Sequence, residues 1–362
     1  MAAARKALSR RPVRVAARLT LILLLAAGLA ALTLVAAPAR AGDGASGAPT
    51  TALLGAAPAP APSFAPALVP PVGEEARGTD YGKDWQHCVQ VVANLRAAPP
   101  TTPLVVLLGG SSARESTVLD DHWERQITRR SGYVVDAYNL GSKHRSYAQD
   151  LAFVKLLPAG VPTIVYVGVN LGRFCLPVRP ASITLPSPRT LPPWGQHVYS
   201  RDRIQTRAQK RYYVSYWLAR RYPEFRANYK SELVMLERII RACKRRHLRV
   251  ALVDLPRDLP VIGSAFDAPV SRYHAGCARL ARAWDIPWLH FNSQARFADR
   301  DFFDIFHLVE PGRVKFQSIL SDRTIGLLKR YRMPRPEPTP SPSPSPSPSA
   351  STSAPASPAP AF

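Results

Sequence analysis

Short runs of apolar residues alternate with amphipathic stretches through the middle of this 362-residue chain. The apolar runs predict strands that are covered on both faces of a sheet, because such strands lack polar alternation. They span residues 104–108, 133–138, 163–169, 249–255 and 286–291. Stretches with helical spacing span residues 113–130, 146–157, 231–247, 268–284 and 311–331.

Strands and helices that alternate in this way predict an α/β fold, with a largely parallel five-stranded sheet and helices on both faces. In such sheets the ligand crevice lies outside the carboxyl ends of the strands. The polar residues that directly follow each predicted strand are therefore the candidates for a functional site.

The first 41 residues have the pattern of an export signal. Basic residues and no acid occupy positions 1–18, positions 19–37 carry no charge, and Ala39-Arg40-Ala41 fits a cleavage site. The apolar segment is also long enough to span a bilayer, so it is either a cleaved signal peptide or an N-terminal membrane anchor. Both alternatives place the body of the protein outside the cytoplasm, secreted or anchored to the cell membrane.

Stretches rich in Ala, Pro and Ser flank the predicted domain. Residues 42–78 predict an extended linker and residues 333–362 a disordered tail, because neither has the apolar periodicity that forms a core. The predicted domain covers residues 79–332 and contains an irregular basic and aromatic insertion at 171–230.

The formal net charge of +23 bears on the partners of the protein. A strongly basic exported protein favours anionic surroundings, such as a cell-wall polymer or a membrane surface. Nucleic acid is the other common partner of a basic protein, but export and the lack of a nucleic-acid-binding motif argue against it. We expect a monomer.

Four cysteines, Cys88, Cys175, Cys243 and Cys277, leave two alternatives open. In an oxidising compartment they form one or two disulfides, with three possible full pairings, or they are four buried free thiols. No CxxC pair and no His/Cys cluster with metal-ligand spacing occurs in the sequence. We therefore expect no metal site and no cofactor.

A serine directly follows the first predicted strand. Leu104 to Leu108 lead into Gly109-Gly110-Ser111, which predicts a tight turn that presents a hydroxyl before a helix. Taken alone, this stretch fits a flexible turn as well as a nucleophile. Ser112 is an alternative nucleophile, but the turn glycines immediately before Ser111 favour Ser111.

Later strand ends carry the other groups that an acyl-transfer site needs. They are the motifs NLG at 139–141, GVN at 168–170 and DIFH at 304–307. His307 can act as the base for Ser111, and Asp304 can orient the His307 ring. The backbone N–H of Gly141, the side-chain amide of Asn170 and an N–H after the turn glycines are candidate oxyanion donors.

The motifs GGSS, NLG, GVN and DIFH, in this order, resemble the SGNH hydrolase (GDSL esterase/lipase) superfamily over about residues 104–320. The resemblance implies a flavodoxin-like three-layer α/β/α sandwich. It assigns Ser111 as the nucleophile, His307 as the base with Asp304 beside it, and Gly141 and Asn170 as the oxyanion donors.

Two positions depart from the family pattern. Gly110 stands where the family motif has Asp, and Leu171 follows Asn170 where many relatives have Asp. Both differences bear on the substrate more than on the mechanism.

The insertion at 171–230 directly follows Asn170, so we expect it to lie over the crevice as a lid that recognises an anionic or carbohydrate-bearing substrate. Trp194 and Arg201 are its candidate substrate-binding residues. The alternative is a surface excursion whose aromatic residues pack on the core. His144 and Arg145 are expected to line the crevice. The remaining histidines are expected to be structural or to lie at the surface: His87, His122, His197, His247, His274 and His290.

These patterns predict an exported serine esterase that cleaves O-acyl esters, chiefly O-acetyl esters, of a cell-envelope glycan or of a related small substrate. An O-acyltransferase uses the same residues and remains an alternative. A non-catalytic module that binds anionic wall polymer and a lipase that acts on membrane lipid are further alternatives.

Overall fold

A computed structural model of the chain describes residues 74–191 and 203–335. Its strands are β1 (Leu104–Gly109), β2 (Asp136–Gly141), β3 (Thr163–Val169), β4 (Arg249–Asp254) and β5 (Trp288–His290). They form one sheet in the order β2-β1-β3-β4-β5, and every neighbouring pair is parallel. This is the flavodoxin-like strand order, so the predicted fold class is confirmed.

The helices occupy both faces of this sheet. They are α1 (Glu74–Ala97), α2 (Ser111–Arg114), α3 (Asp120–Ser131), α4 (Tyr147–Leu156), α5 (Arg207–Tyr216), α6 (Tyr222–Arg245), α7 (Leu259–Ile262), α8 (Asp267–Trp284), α9 (Asn292–Ala295) and α10 (Glu310–Arg330). Short 3₁₀ turns cover Leu171–Cys175 and Asp299–Asp301, and a π-helical turn at Trp217–Arg221 joins α5 to α6.

The core has two main hydrophobic clusters, one on each face of the sheet, because successive side chains of a strand point to opposite faces. Val106 of β1 packs in one cluster with residues of α1, α4, α6 and α8, whereas Leu107 packs in the other with residues of α3 and α10. β1 and β3 are buried along their whole length. The result is the predicted three-layer sandwich.

Several boundaries differ from the predictions. β2 begins at Asp136, not at residue 133. The helix α3 ends at Ser131, the C-cap residue Gly132 is left-handed (φ 71°), and residues 133–135 only connect the helix to the sheet. The helix predicted at 113–130 is two helices, α2 and α3. The pattern also missed α1, which begins inside the predicted linker, and α5 within the insertion.

The predicted signal or anchor, most of the linker and most of the tail lie outside the described residues. Met333 packs in the core beside α10, so the folded part extends slightly beyond residue 332. Within residues 74–191 and 203–335, no helix has both the length and the apolar character needed to cross a membrane.

Candidate active site

Ser111 lies where β1 ends and the short helix α2 begins. Gly110 precedes the helix in an extended conformation, with φ −78° and ψ −164°. A Cβ at Gly109 would lie 2.4 Å from the Cβ of Ala113, so only glycine allows the helix to pack this closely on the strand end. Ser111 is thereby presented at the carboxyl edge of the sheet, as the first residue of α2.

The loop that carries His307 is held by its own backbone and by Asp304. Phe302 and Leu308 form an antiparallel bridge, and the N–H of Phe303 donates to the carbonyl oxygen of His307 at 2.8 Å. Oδ1 of Asp304 accepts the backbone N–H of His307 at 2.9 Å. The carboxylate therefore fixes the conformation of the loop.

His307 lies between Asp304 and Ser111. Its Nδ1 is 2.9 and 2.8 Å from the two carboxylate oxygens of Asp304, and its Nε2 is 2.8 Å from Oγ of Ser111. The Asp304 side chain is 1% exposed, so water screens this interaction weakly. A carboxylate at Nδ1 favours a proton on that nitrogen and leaves Nε2 to accept the serine proton.

The two adjacent serines have different partners. The residue Ser112 is 4% exposed, and its Oγ accepts a hydrogen bond from Nδ2 of Asn170 at 2.8 Å. Ser111, not Ser112, therefore faces the histidine. The N–H of Ser112 immediately follows Ser111, where hydrolases with a nucleophile at a strand-to-helix turn have an oxyanion donor.

Asn170 follows β3 and caps the 3₁₀ turn at Leu171–Cys175. Its Oδ1 accepts the backbone N–H of Arg173 at 3.1 Å, which fixes the orientation of the amide. An amide nitrogen has two N–H donors, so donation to Ser112 leaves the second for a ligand.

Gly141 does not have the predicted role in this arrangement. Its N–H donates to the side-chain oxygen of Asn139 at 2.9 Å, so it is not free for an oxyanion. A Cβ on Gly141 would lie 2.4 Å from the backbone nitrogen of Arg114. We therefore correct its assignment: Gly141 allows α2 to approach β2, and the candidate oxyanion donors are the Asn170 amide and the N–H of Ser112, because the N–H groups of Ala113 and Arg114 donate to the carbonyl oxygen of Gly110.

A cleft of about 140 Å³ opens at Ser111 and His307. Its other lining residues are Gly110, Ser112, Lys143, His144, Arg145, Asn170, Gly172, Arg173, Leu176, Tyr213, Trp217, Arg221 and Phe306. The predicted positions of His144 and Arg145 at the crevice are thus found. A larger groove of about 540 Å³ lies between α3 and α10, but it contains none of the predicted site residues.

The insertion contributes Tyr213, Trp217 and Arg221 to this cleft. Trp217 is 1% exposed and its ring centroid lies 4.6 Å from that of Phe266, so this part of the insertion packs on the core and forms a cleft wall at the same time. Trp194 and Arg201 lie outside the described residues, and their contacts with substrate remain predictions.

A buried carboxylate links the loops that follow β2 and β3, and the sequence pattern gave no sign of it. Asp150 on α4 pairs with Nε of Arg145 at 2.6 Å and with Nη2 of Arg173 at 2.5 Å. Arg173 also donates to the carbonyl oxygen of Gly168 at 2.7 Å, and Arg145 donates to that of Leu140. Asp150 therefore fixes the distance between Arg145 and Arg173, which line two walls of the cleft.

Lys210 ties the insertion to the loop that leads into His307. This fully buried ammonium donates to Oδ2 of Asp258 at 2.9 Å and to the carbonyl oxygens of Asp299 and Phe302 at 2.8 and 3.0 Å. Burial raises the pKa of Asp258 to about 6, although hydrogen bonding to the Lys210 ammonium opposes the shift. The sequence alone shows Lys210 only as a basic residue within the insertion at 171–230.

The four cysteines are buried free thiols, so no disulfide joins them. Burial raises the pKa of Cys88, Cys175 and Cys243 to about 12. A thiol that stays protonated is a poor nucleophile, so these cysteines do not compete with Ser111 for a catalytic role.

His274 and His290 have a shared partner that their sequence spacing does not reveal. Both approach Oδ2 of Asp254, the last residue of β4, at 3.1 and 3.8 Å. The only signal in the sequence is an acidic residue at the end of a buried strand. The histidines come from α8 and β5, which only the fold brings together.

No protein-family model matches the sequence, and the comparison with curated proteins found no match. Distantly similar solved structures include a lipase/acylhydrolase from Enterococcus faecalis, with 15% identity, 65% of this chain and 100% of that chain covered, and a TM-score of 0.37. A GDSL-like lipase from Bacteroides thetaiotaomicron has 12% identity, 70% and 98% coverage, and a TM-score of 0.32. The SGNH-hydrolase family esterase AlinE4 has 15% identity, 64% and 99% coverage, and a TM-score of 0.32.

At such identities and TM-scores the similarity carries no conclusion about the activity, the substrate or the catalytic residues of this chain.

Proposed function

We propose that this protein is an exported serine esterase that hydrolyses O-acyl esters, chiefly O-acetyl esters, of a cell-envelope glycan. The observation that carries the proposal is the contact of Nε2 of His307 with Oγ of Ser111 at 2.8 Å, with Asp304 on the opposite ring nitrogen. Serine is a weak nucleophile at its ordinary pKa and needs such a base.

The first half of the reaction forms an acyl-enzyme. Oγ of Ser111 attacks the ester carbonyl carbon while its proton moves to Nε2 of His307, and Asp304 stabilises the imidazolium that results. The carbonyl oxygen becomes an oxyanion, which the second N–H of the Asn170 amide and the N–H of Ser112 stabilise. His307 then protonates the departing alcohol oxygen, which leaves the acyl group on Ser111.

The second half releases the acid. Water gives a proton to His307 and attacks the acyl carbon, and the bond to Oγ of Ser111 breaks as His307 returns the proton to Oγ. The chain's own residues thus supply the nucleophile, the base and the oxyanion donors for both halves.

The size of the cleft supports a small acyl group. At about 140 Å³ it is well below the 300–1,000 Å³ of pockets that enclose drug-sized ligands. Leu176 and Phe306 provide apolar walls near His307. A short acyl chain fits such a space better than a long one, which favours an esterase over a lipase.

The cleft walls also support a glycan as the alcohol part of the ester. Tyr213 offers aromatic surface, and Lys143 and Arg221 bring positive charge to the same cleft. Aromatic faces and long cationic side chains suit the apolar faces and hydroxyl or anionic groups of a wall polysaccharide. The signal-like N-terminus supports export to the compartment where such a polymer is found.

The test compares p-nitrophenyl acetate, p-nitrophenyl octanoate and an O-acetylated wall polysaccharide as substrates of the full chain. We expect hydrolysis of the acetate, at least about tenfold lower kcat/KM for the octanoate, and release of acetate from the polysaccharide. Ser111→Ala should reduce all three to background. Equal activity of Ser111→Ala and wild type would refute the esterase proposal, whereas hydrolysis of p-nitrophenyl acetate without release from the polysaccharide would refute only the glycan substrate.

A further inference from the structure

One acidic and two histidine side chains meet at the carboxyl ends of β4 and β5, apart from the residues that form the cleft. Asp254 ends β4, His290 ends β5 and His274 lies on α8. One ligand atom from each lies within 4.8 Å of the other two. Carboxylate oxygen and imidazole nitrogen are ligands that Zn²⁺ accepts.

We propose that Asp254, His274 and His290 form a binding site for a divalent transition-metal ion, with Zn²⁺ as the ion that fits best. Zinc bonds to imidazole nitrogen and carboxylate oxygen of about 2.0–2.2 Å place tetrahedral ligand atoms about 3.4 Å from one another. The distances from Oδ2 of Asp254 to Nε2 of His274 and to Nδ1 of His290 are 3.1 and 3.8 Å. These two distances lie on either side of the zinc spacing, and the three ligand atoms all lie within 4.8 Å of one another.

Arg257 and Tyr273 orient the carboxylate of Asp254 toward the two histidines. The other oxygen of this carboxylate, Oδ1, accepts hydrogen bonds from Arg257 at 2.9 Å and from the hydroxyl of Tyr273 at 2.5 Å, so Oδ2 points at the histidines. Groups that orient a metal-binding carboxylate in this way commonly strengthen metal binding.

The site is buried on one side and open on the other. The side chain of Asp254 is 1% exposed, whereas those of His274 and His290 are 28% and 43% exposed. The ring of Trp288 packs against both imidazoles, with centroids 5.6 and 4.5 Å apart, and restricts their movement. An ion held by three protein ligands has a fourth position, and the exposed side leaves it to water.

A metal ion here would connect elements that are otherwise joined weakly at the sheet edge. In the part of the chain that the structure describes, β5 is an edge strand of three residues that pairs with β4 alone. The ion would tie β5 to β4 and to α8, and a ligand that binds only the folded state stabilises it. This departs from the expectation, based on sequence spacing, that the chain holds no metal.

A zinc ion bound to Oδ2 of Asp254 would displace the hydrogen bond that Asn292 donates to the same oxygen. Nδ2 of Asn292 donates to Oδ2 of Asp254 at 3.2 Å, and its Oδ1 accepts the backbone N–H of Arg257 at 3.0 Å. The second bond keeps Asn292 in place when the first is lost. The ion would also take the place of the contacts of Nε2 of His274 with Oδ2 of Asp254 and with the Tyr273 hydroxyl, both at 3.1 Å.

The experiment titrates the full chain, after treatment with a chelator, with Zn²⁺ in a calorimeter and with Co²⁺ in a spectrophotometer. We expect one Zn²⁺ per chain, visible bands typical of tetrahedral Co²⁺, and a thermal midpoint roughly 5–10 °C higher at a zinc concentration 100 times the Kd. His274→Gln and His290→Gln should each weaken zinc binding by at least about 10- to 100-fold. Far-ultraviolet circular dichroism checks that both variants fold.

Two further variants locate the ion. His247→Gln is the matched control, because His247 is exposed and precedes β4, at the opposite end of the strand from Asp254, and the variant should bind Zn²⁺ as wild type does. His307→Ala should also keep the site. Zinc affinity that is unchanged in a His274→Gln/His290→Gln double variant, or lost only in His307→Ala, would overturn the proposal, as would the lack of any zinc binding by the wild-type chain.

Discussion

Nε2 of His307 lies 2.8 Å from Oγ of Ser111, although the two residues are 196 positions apart in the chain. Neither element makes this contact alone: Ser111 depends on the turn after β1, and His307 depends on a loop that Asp304 and Lys210 hold. The contact gives the otherwise ordinary hydroxyl of Ser111 a base. The predictions below test the groups that maintain it.

Asp304→Asn should lower kcat for p-nitrophenyl acetate by about 10³–10⁴-fold, because the amide no longer favours the tautomer in which Nε2 accepts the serine proton. KM should change little. Steady-state kinetics measure both values. Asp322→Asn, which removes an exposed carboxylate on α10, is the control and should keep wild-type kinetics. A kcat of Asp304→Asn close to that of wild type would contradict the orienting role of Asp304.

Asn170→Ala should lower kcat by about 10²–10³-fold with little effect on KM, because the amide of Asn170 stabilises charge that develops only in the transition state. Ser112→Ala is the matched variant: it removes the hydrogen-bond partner of the same amide but leaves both N–H donors, so its loss should be much smaller. If Asn170→Ala raised KM and left kcat unchanged, Asn170 would bind the ground state rather than the oxyanion.

Asp150→Asn should reduce the free energy of unfolding by about 3–5 kcal/mol, because it leaves the buried guanidinium groups of Arg145 and Arg173 without their carboxylate. Urea denaturation measures the change. The control is Asp121→Asn, which breaks the exposed pair with Arg125 and should cost less than about 1 kcal/mol. Equal small losses in the two variants would show that the buried network is not important for stability.

Glu232→Gln should change how stability depends on pH. Neither carboxylate oxygen of Glu232 has a hydrogen-bond partner among the residues that the structure describes, and burial raises its pKa to about 7, with the Arg173 charge opposing. Because the folded-state pKa is above the unfolded value, the folded state binds the proton more tightly than the unfolded state does. The stability of the fold is therefore highest below about pH 4.5, where the carboxyl is protonated in both states, and it decreases as pH rises through about 7 and the buried carboxyl ionises.

The glutamine variant lacks this titration. Urea unfolding should therefore give similar stabilities for Glu232→Gln and wild type at pH 5, and a variant more stable by on the order of 1 kcal/mol at pH 8. Glu237→Gln, on a more exposed position of the same helix, should follow the wild-type pH profile. A constant difference between Glu232→Gln and wild type across this pH range would contradict the raised pKa.

The sequence predicts the fold well where burial alone decides the structure. β3 was predicted at its observed bounds, and β1 to within one residue, because strands covered on both faces consist of uninterrupted apolar residues. β2 was misplaced because Tyr133 and Val135 are apolar but belong to a connection, whereas the strand itself contains polar residues such as Asp136 and Asn139. Apolar runs do not distinguish a buried connection from a strand.

At the candidate site, the order of motifs in the sequence was enough to select the candidate catalytic residues. It was not enough to predict their side-chain contacts. Ser111, Asn170 and His307 could be selected because each follows a predicted strand or precedes the last helix. The bond from Gly141 to Asn139 and the partners of Asp150 could not be predicted, because they depend on side-chain directions within turns. The same holds for His274 and His290, which meet Asp254 only in the folded chain.

Labelling with a fluorophosphonate probe tests the central claim most directly. The folded full chain is treated with the probe, and fragmentation of the modified peptide identifies the labelled serine. We predict label on Ser111 in wild type and in Ser112→Ala, and none in Ser111→Ala. Label on Ser112, or label of equal extent in Ser111→Ala, would contradict the assignment of Ser111 as the nucleophile that His307 activates.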